Sequence, residues 1–556
     1  MKRYFSSLFI AVFFISLLFT GCKKSDVPVV IPEKPLDKIV MEPLEITLQK
    51  ELNGVYIQLK VKVNNLAPGE STEVIWTSND PRIAVVDEFG VATPEGAGVT
   101  EIVATLRSGK GSAKCKVTVT DKNEYKYRLV LTDKGSSEFS VQQPERFLSA
   151  KAIERRRKRN IPIDESDLPI STDYLKKIKE VGGVIVAKSK WLNTVTVHTG
   201  DQFMIDKYKT LPFVKEVALV WAGRAKDKTA GKYVDQPQLN LNPPLNTPID
   251  YGSAFDNIQT NNGQALHNKG FKGAGIDIAV IDAGFYNANK YPMFKNVNIK
   301  GAKSFVYEND DPYSVDNHGI WVTSTMAVNQ PGKYVGTAPE ASYWLLRSED
   351  TANEYPVEED YYATAIEFAD SVGVDVVNTS LGYTDLYYLE SARYTMKDMD
   401  GKTAIASRAA NFAAEKGIFI VVSAGNESKW IGTPGDSPNV LTLGGVDPKR
   451  NLYSASSFGI TIDGRMKPDV MAVGMNAQVI GPFGVEIRSG TSYASPIMCG
   501  LVACLWQAYP KLSVAELREV IRKSADRANQ PVIPFGYGIP DMQKAMDLAN
   551  AISQKK

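Results

Sequence analysis

The sequence has few histidines, few cysteines and no excess of either charge. Its 556 residues include three histidines and four cysteines, and the net charge is +1. A net charge this close to zero argues against nucleic acid as the main partner. A histidine that acts as a general base must be His198, His267 or His318.

Long hydrophobic runs are missing beyond the N-terminus, so no later segment is expected to span a membrane. The apolar run 5–19 follows two basic residues and predicts a secretory signal peptide over 1–21. A transmembrane anchor is the alternative, but the run is short for one. Cys22 directly after it resembles a bacterial lipoprotein processing site, which implies lipidation of Cys22 and an exported cell-envelope protein, an outer-membrane lipoprotein. A proline-rich tether follows over 22–36.

The three other cysteines are expected to be free and buried. Cys499 and Cys504 lie five residues apart on one predicted helix, about 140° around its axis, so they cannot easily bridge each other. Together with Cys115 they are interpreted as small apolar core residues.

The length predicts several domains. Short alternating runs separated by turns predict an all-β domain over 37–121. Strands and helices over 124–224 follow an order close to the split βαβ, ferredoxin-like arrangement. A polar, proline-containing linker is predicted over 225–261, and strands alternate with helices over 262–556, as in a doubly wound α/β parallel sheet.

Two segments leave two interpretations open. The basic run 155–159 is either a solvated helix face, which we favour, or a processing site. The aromatic-rich insertion 383–402 either shapes a substrate cleft or is an ordinary surface loop.

The stretch 490–496, Gly-Thr-Ser-Tyr-Ala-Ser-Pro, predicts a nucleophile at Ser492. A long apolar run follows it, and Pro496 fits the first turn of a helix, so Ser492 is expected at or beside a helix N-terminus. Free N–H groups there hold the oxyanion of an acyl-transfer intermediate. The alternative is a small Gly/Ser turn before a core helix.

The candidates for the general base and for the carboxylate that orients it lie upstream of Ser492. His198 ends an alternating run and His267 ends a short helix, whereas His318 has a glycine beside it and a helix behind it. Asp282 ends an apolar run that predicts a buried parallel strand, and active sites lie at the carboxyl ends of such strands. Asn426 follows another buried strand and offers an amide donor for the oxyanion. The Asp, His, Ser order is one of the known orders of a serine triad.

These motifs resemble the subtilisin-like serine proteases (subtilases). The resemblance covers about 262–551, and its motifs, in family order, are Val280-Ile281-Asp282-Ala283-Gly284, Asn317-His318-Gly319, Asn378-Thr379-Ser380-Leu381-Gly382, Ser423-Ala424-Gly425-Asn426 and Gly490-Thr491-Ser492-Tyr493-Ala494-Ser495-Pro496. It implies a secreted serine endopeptidase that acts on protein or peptide substrates as a monomer. It also implies that Ser380, Leu381, Gly382, Ala424 and Gly425 pair with the substrate backbone. No cofactor is required for this chemistry.

The sequence departs from the family pattern at Ala283, Ile320 and Tyr493. The first two lose supporting hydroxyls, and none removes a catalytic group. The acidic residues Glu308, Asp310, Asp311 and Asp316 leave open a structural calcium site, although a charged surface loop is favoured and no metal ligand is assigned.

The motifs Trp76-Thr77-Ser78-Asn79-Asp80-Pro81, Ile83-Ala84-Val85-Val86-Asp87, Gly90-Val91-Ala92, Ala97-Gly98-Val99-Thr100 and Cys115-Lys116-Val117-Thr118-Val119 make 37–121 resemble a bacterial immunoglobulin-like group 2 domain. The stretches 147–156 and 189–193 make 124–224 resemble the N-terminal region of Bacteroidetes-type subtilases. The first implies adhesion, substrate docking or, as we favour, a spacer. The competing function is a catalytically idle surface protein that binds through this domain. Retention of all four catalytic residue types argues against that alternative.

Residues 124–224 also resemble subtilase pro-segments. We expect cleavage in the exposed linker, 225–248, to free the peptidase from this segment and from the membrane anchor. The alternative is that the segment is never removed and forms a fixed wall of the enzyme.

Overall fold

The computed structural model describes residues 39–50, 57–64, 69–120, 123–224, 249–307, 310–351 and 354–556. The chain forms two compact units that divide after Thr120. The predicted signal peptide, the tether with Cys22 and linker residues 225–248 lie outside the described residues, as does Glu308. Within the described part, no helix combines the length and apolar character needed to cross a membrane.

The first unit is all-β, as predicted. Its strands are β1 Ile39–Glu42, β2 Glu45–Gln49, β3 Ile57–Gln58, β4 Lys60–Val63, β5 Val74–Ser78, β6 Ala84–Val86, β7 Val91–Pro94, β8 Gly98–Leu106 and β9 Ser112–Thr120. They form sheets of order β1-β4, β2-β9-β8-β5 and β3-β7-β6 around one core that includes Ile102, Cys115 and Val117. The immunoglobulin-like identity of this unit stays a prediction.

The second unit begins with residues 123–224, called the N-terminal module below. Its elements are β10 Asn123–Leu131, α1 Ala150–Lys158, α2 Thr172–Val181, β11 Val184–Ser189, β12 Thr194–Thr199, α3 Met204–Lys209 and β13 Val214–Arg224. The antiparallel sheet has the order β11-β12-β10-β13, which is the strand order of the split βαβ arrangement. Ser149 and Ser171 cap α1 and α2 with their side chains.

The favoured interpretation of the basic run 155–159 as a solvated helix face holds for Arg157 and Lys158, which are exposed, and is wrong for Arg155 and Arg156. Arg155 and Arg156 on α1 are 4% and 1% exposed and pair with carboxylates. The burial could not be predicted because Asp370, one of the acidic partners, lies more than 200 residues away in the sequence. Without a nearby acidic partner, a charged helix face is expected to be solvated.

Residues 249–556 form the C-terminal region around a seven-stranded parallel sheet, which confirms the predicted α/β class. The elements of this region are α4 Phe255–Gln259, α5 Gln264–His267, β14 Asp277–Asp282, β15 Asn298–Ser304, α6 His318–Ala327, β16 Asn329–Gln330, β17 Tyr334–Val335, β18 Ser342–Arg347, α7 Val357–Val372, β19 Val376–Thr379, α8 Ile405–Glu415, β20 Phe419–Ser423, β21 Leu441–Val446, β22 Gly459–Ile460, β23 Met466–Lys467, β24 Val470–Val473, β25 Ala477–Gly481, β26 Gly484–Arg488, α9 Thr491–Ala508, α10 Val514–Ser524 and α11 Met542–Ser553. The sheet order is β15-β18-β14-β19-β20-β21-β24.

Helices cover both faces of this sheet. Along β14, Ile278 and Val280 pack into the core that holds α6 and α9, whereas Ala279 and Ile281 pack into the core that holds α7 and α8. Burial on both faces explains why this strand reads as a continuous apolar run. The helices that carry His318 and Ser492 therefore lie on one face, and α7 and α8 lie on the other.

Candidate active site

The structure joins Asp282 and His318 directly. Asp282 is the last residue of β14 and His318 the first residue of α6. Their Oδ1 and Nδ1 atoms are 2.7 Å apart. Gly319 makes this approach possible, because a Cβ there would lie 2.3 Å from the carbonyl oxygen of Gly284. The Asp316 carboxylate accepts the His318 N–H at 2.7 Å and so holds the start of α6.

The pairing shifts the pKa of both groups. Burial raises the pKa of Asp282 above its usual value, although the charge and hydrogen bond of His318 lower it. Burial lowers the pKa of His318, but the charge of Asp282 and its hydrogen bond outweigh burial, so the net pKa is raised. With Nδ1 bonded to the carboxylate, Nε2 is the ring atom left to accept a proton.

Ala283 contributes only its backbone to Asp282. Its N–H donates to Asp282 Oδ1 at 2.7 Å, and Asp282 Oδ2, although buried, has no hydrogen-bond partner among the described residues. This geometry agrees with the prediction that Ala283 lacks the side-chain hydroxyl that would support Asp282.

Ser492 is the second residue of α9, so the predicted helix N-terminus is confirmed. The placement of Pro496 in the first turn is wrong, since it is the sixth residue of the helix. A proline there cannot donate to the carbonyl four residues earlier, which is that of Ser492. The Ser380 hydroxyl donates to this carbonyl instead, at 2.9 Å.

A buried polar network fixes the first turn of α9 to the end of β19. Asn378 Nδ2 donates to Ser380 Oγ at 2.9 Å, and Ser495 Oγ donates to Asn378 Oδ1 at 2.6 Å. Sequence reasoning gave Ser380 only a substrate-binding role and gave none to Asn378 or Ser495. The sequence signal for this network was Pro496, because a proline four residues after Ser492 leaves the Ser492 carbonyl in need of another donor.

The Asn426 side chain lies beside the same helix end. Its Oδ1 accepts from the Thr491 N–H at 2.8 Å and from the Thr491 hydroxyl at 3.1 Å. Because the amide oxygen is taken up in this way, the amide nitrogen is the end that remains to donate to a ligand. Thr491 is a positioning residue that the sequence did not reveal.

The remaining predicted site residues follow two neighbouring strands of the sheet. Residues 380–382 come directly after β19, and Ala424 and Gly425 come directly after β20. Gly425 has a φ of +102°, which favours glycine, and its N–H donates to Thr491 Oγ1 at 3.1 Å. The carboxyl ends of adjacent parallel strands thus bring these segments to the nucleophile helix.

The insertion 383–402 is anchored to the C-terminal region by buried tyrosines. Tyr383 donates to Glu349 and Tyr387 to Glu359, each at 2.8 Å. Tyr383 also forms an antiparallel bridge with Thr433. Most of the other residues of the insertion are exposed or half-exposed, so both interpretations of this segment stay open.

The described acidic residues considered for calcium serve other contacts. Asp310 pairs with Arg347, Asp311 accepts the Tyr313 N–H, and Asp316 accepts the His318 N–H. Across the described residues, no group of three or more His, Cys, Asp or Glu side chains is arranged to hold a metal ion. These contacts give no support to a calcium site.

Comparison with known protein families matches two parts of the chain. Residues 273–539 match the subtilase family model, Peptidase S8, and residues 126–235 match the Peptidase S8 propeptide domain of Bacteroidota. The second match overlaps the N-terminal module.

Several curated proteins are similar to this chain. Subtilisin amylosacchariticus of Bacillus subtilis subsp. amylosacchariticus is 26% identical over 376 residues, which are 66% of this chain and 84% of that protein. The subtilisin of Bacillus pumilus is 27% identical over 50% of this chain and 94% of its own length. Subtilisin Savinase of Lederbergia lenta is 26% identical over 50% of this chain and 94% of its own length.

Proposed function

We propose that this serine endopeptidase, whose residues 273–539 form a peptidase domain of the subtilase family, hydrolyses peptide bonds with Asp282, His318 and Ser492. The observation that carries the assignment is the 2.7 Å hydrogen bond between Asp282 and His318. This bond fixes the tautomer of His318, as a general base requires. Ser492 lies at a helix N-terminus of the same domain.

In this mechanism Ser492 Oγ attacks the scissile carbonyl while His318 Nε2 takes the hydroxyl proton. Asp282 keeps the proton of the neutral ring on Nδ1 and stabilises the imidazolium that forms. His318 then donates its proton to the leaving amine, and water releases the acyl group by the same steps.

The negative oxygen of the tetrahedral intermediate is held by two donors, the Asn426 amide nitrogen and the Ser492 N–H. The hydrogen bonds of Thr491 support this role because they orient the Asn426 amide before substrate arrives. Residues 380–382 and 424–425 pair with the substrate backbone on either side.

We predict that Asn426→Ala lowers kcat by roughly 10² to 10³ with little change in KM, because its bond to the oxyanion forms mainly in the transition state. Steady-state kinetics on a peptide substrate measure this. Asn550→Ala on the exposed face of α11 is the matched control and should leave both constants unchanged. A change confined to KM would limit Asn426 to substrate binding.

The pKa of His318 predicts the acid limb of the pH profile. Asp282, Asp316 and Glu349 are the acidic groups that raise this pKa, and only the neutral ring accepts the Ser492 proton. Activity should therefore be lost as the pH falls, with a midpoint of kcat/KM above the ordinary histidine value of about 6.5. A profile that stays flat from acid to neutral pH would rule out His318 as the base.

The environment of the enzyme is a separate proposal that rests on the sequence. Export by the signal peptide and lipidation of Cys22 make it a bacterial cell-envelope lipoprotein, in which the immunoglobulin-like domain is a spacer. The peptidase acts there as a monomer on protein or peptide substrates.

We expect Cys22→Ser to move the protein from the membrane fraction to the soluble fraction, because the lipid is its only evident anchor. Fractionation followed by immunoblotting measures this, with Ser108→Ala, an exposed change in the first unit, as control. Membrane association of Cys22→Ser that survives a high-salt wash would contradict lipid anchoring.

A further inference from the structure

We propose that Arg347 is a positioning residue of the active site, because its guanidinium ties the turn after Asp282 to the loop that leads to His318. The proposal rests on the proposed function, since it concerns the geometry of the same catalytic pair, and it adds a strand, β18, that holds none of the site residues described above. The place of Arg347 in the sheet, the contacts of its buried guanidinium and the bonds between the turn and the loop carry it.

Arg347 is the last residue of β18, which lies between β15 and β14 in the parallel sheet. It is paired in register with Asp282 at the end of β14 and with Ser304 at the end of β15. Asp282 is the catalytic carboxylate, and the chain after Ser304 leads to His318 at the start of α6. Arg347 therefore lies between the two segments that supply the catalytic pair.

The Arg347 side chain lies on the same face of the sheet as the Asp282 side chain. Side chains along a strand alternate between the two faces. Leu345, two residues before Arg347, and Val280, two residues before Asp282, both pack into the core that holds α6 and α9. The Arg347 side chain is 6% exposed, so its charge is largely removed from water and requires partners within the protein.

The guanidinium has two partners, which it contacts through different atoms. Its Nε donates to the carbonyl oxygen of Ala283 at 2.9 Å, and its Nη1 pairs with the carboxylate of Asp310. Asp310 is held in turn by the Ser304 hydroxyl, which donates to Oδ2 at 3.0 Å. Ala283 is the residue whose N–H donates to the Asp282 carboxylate. Arg347 thus binds the backbone that orients the catalytic carboxylate.

The backbone around Arg347 connects the same two segments. The Ser348 N–H donates to the Asp282 carbonyl at 3.0 Å, and the Phe305 N–H donates to the Arg347 carbonyl at 2.9 Å. These bonds hold the strand ends, whereas the guanidinium extends the connection to the turn and to the loop.

The turn after Asp282 and the loop before His318 are also bonded to each other. Three backbone hydrogen bonds of 2.8 to 2.9 Å join the N–H groups of Phe285, Tyr286 and Asn287 to the carbonyls of Pro312, Asp316 and Tyr313, respectively. At the start of α6, the Gly319 N–H donates to the Gly284 carbonyl at 3.0 Å. A shift of the turn or of the loop therefore changes the position of His318 Nδ1 relative to Asp282 Oδ1.

Arginine is suited to this position by its shape. The guanidinium presents its donors in a rigid planar fork, so Nε and Nη1 can serve two acceptors at the same time. A lysine ammonium is a single point of charge on a flexible stem. In the sequence, Arg347 is a charged residue at the end of the otherwise mostly apolar strand β18, and a buried charge of this kind is kept only when it is paired.

A purely structural role is the alternative. In that case the Arg347–Asp310 pair would stabilise the fold and leave the catalytic pair unchanged. The two roles differ in the turnover of the folded enzyme, because only a positioning residue changes kcat after the variant has been shown to be folded.

The test measures Arg347→Met in the full chain. This change removes the donor to Ala283 and the partner of Asp310, so the Asp282 carboxylate should lose its fixed orientation. We expect kcat on a peptide substrate to fall by about 10²-fold with little change in KM, because a misplacement of about 1 Å costs a factor of that order. The rate at which a serine-directed fluorophosphonate labels Ser492 should fall in parallel, because labelling depends on the same base.

Arg522→Met is the matched control. Arg522 on α10 pairs with Asp469, and its side chain is 18% exposed, so the control also breaks an Arg–Asp pair that is largely buried. The pair lies on segments that hold none of the site residues. Arg522→Met should therefore lower the unfolding temperature and leave both kcat and the labelling rate unchanged.

Asp310→Asn is a second and milder variant. It keeps the Arg347 donor to Ala283 but removes the charge that anchors the guanidinium, so kcat should fall by less than in Arg347→Met. Thermal unfolding shows whether each variant is folded at the assay temperature. If Arg347→Met does not fold, the kcat of Asp310→Asn decides, and a value equal to that of the control would contradict the proposal.

A folded Arg347→Met whose kcat and labelling rate equal those of Arg522→Met would overturn the proposal and leave Arg347 a structural role. The proposed function fails in a different way, because a wild-type protein that is not labelled on Ser492 would overturn the catalytic assignment itself. The labelling of the wild type therefore distinguishes the two failures.

Discussion

Ser492→Ala and His318→Ala should each lower kcat on a peptide substrate by about 10⁶-fold. Ser492 supplies the attacking oxygen, and His318 is the only described base bonded to a carboxylate at the end of a central strand. Because the two residues act as one unit, the double variant should be little slower than either single variant.

Steady-state assays on purified variants measure this prediction, with thermal unfolding as the control for folding. Ser492 is the second residue of a helix whose first turn is held by Ser380 and Asn378, so Ser492→Ala should unfold near the wild-type temperature. Turnover close to wild type in either single variant would contradict the triad.

Asp282→Asn should lower kcat by about 10⁴-fold. Asp282 Oδ1 accepts from both His318 Nδ1 and the Ala283 N–H. An asparagine amide can donate to His318 Nδ1 instead, which leaves the ring proton on Nε2. A protonated Nε2 cannot accept the hydroxyl proton of Ser492.

The matched control is Asp547→Asn, an exposed change on α11 that should leave kcat unchanged. The acid-limb midpoint of Asp282→Asn should also fall, because the charge that raises the pKa of His318 has been removed. A loss of kcat as small as tenfold would show that Asp282 does not orient the base.

The sequence predicts local elements of this fold well. The apolar run that ends at Asp282 is β14, and the buried strand predicted before Asn426 is β20, both in the parallel sheet. Such elements are set by local periodicity and by burial on both faces, which the residues themselves carry.

Contacts between distant segments were not predictable in the same way. The burial of Arg155 and Arg156 could not be predicted from the sequence, because their partner Asp370 lies more than 200 residues away. Ser380 is likewise joined to α9 across 112 residues. The motifs predicted the Asp282–His318 pair, whereas the contacts of Thr491 and Asn378 became evident only from the geometry.

The most direct test of the central claim is active-site labelling with a serine-directed fluorophosphonate, followed by mass-spectrometric mapping. We predict one label per chain, on Ser492, with labelling abolished in Ser492→Ala and strongly slowed in His318→Ala. A fully active protein that takes up no label, or that carries it on a residue other than Ser492, would contradict the account.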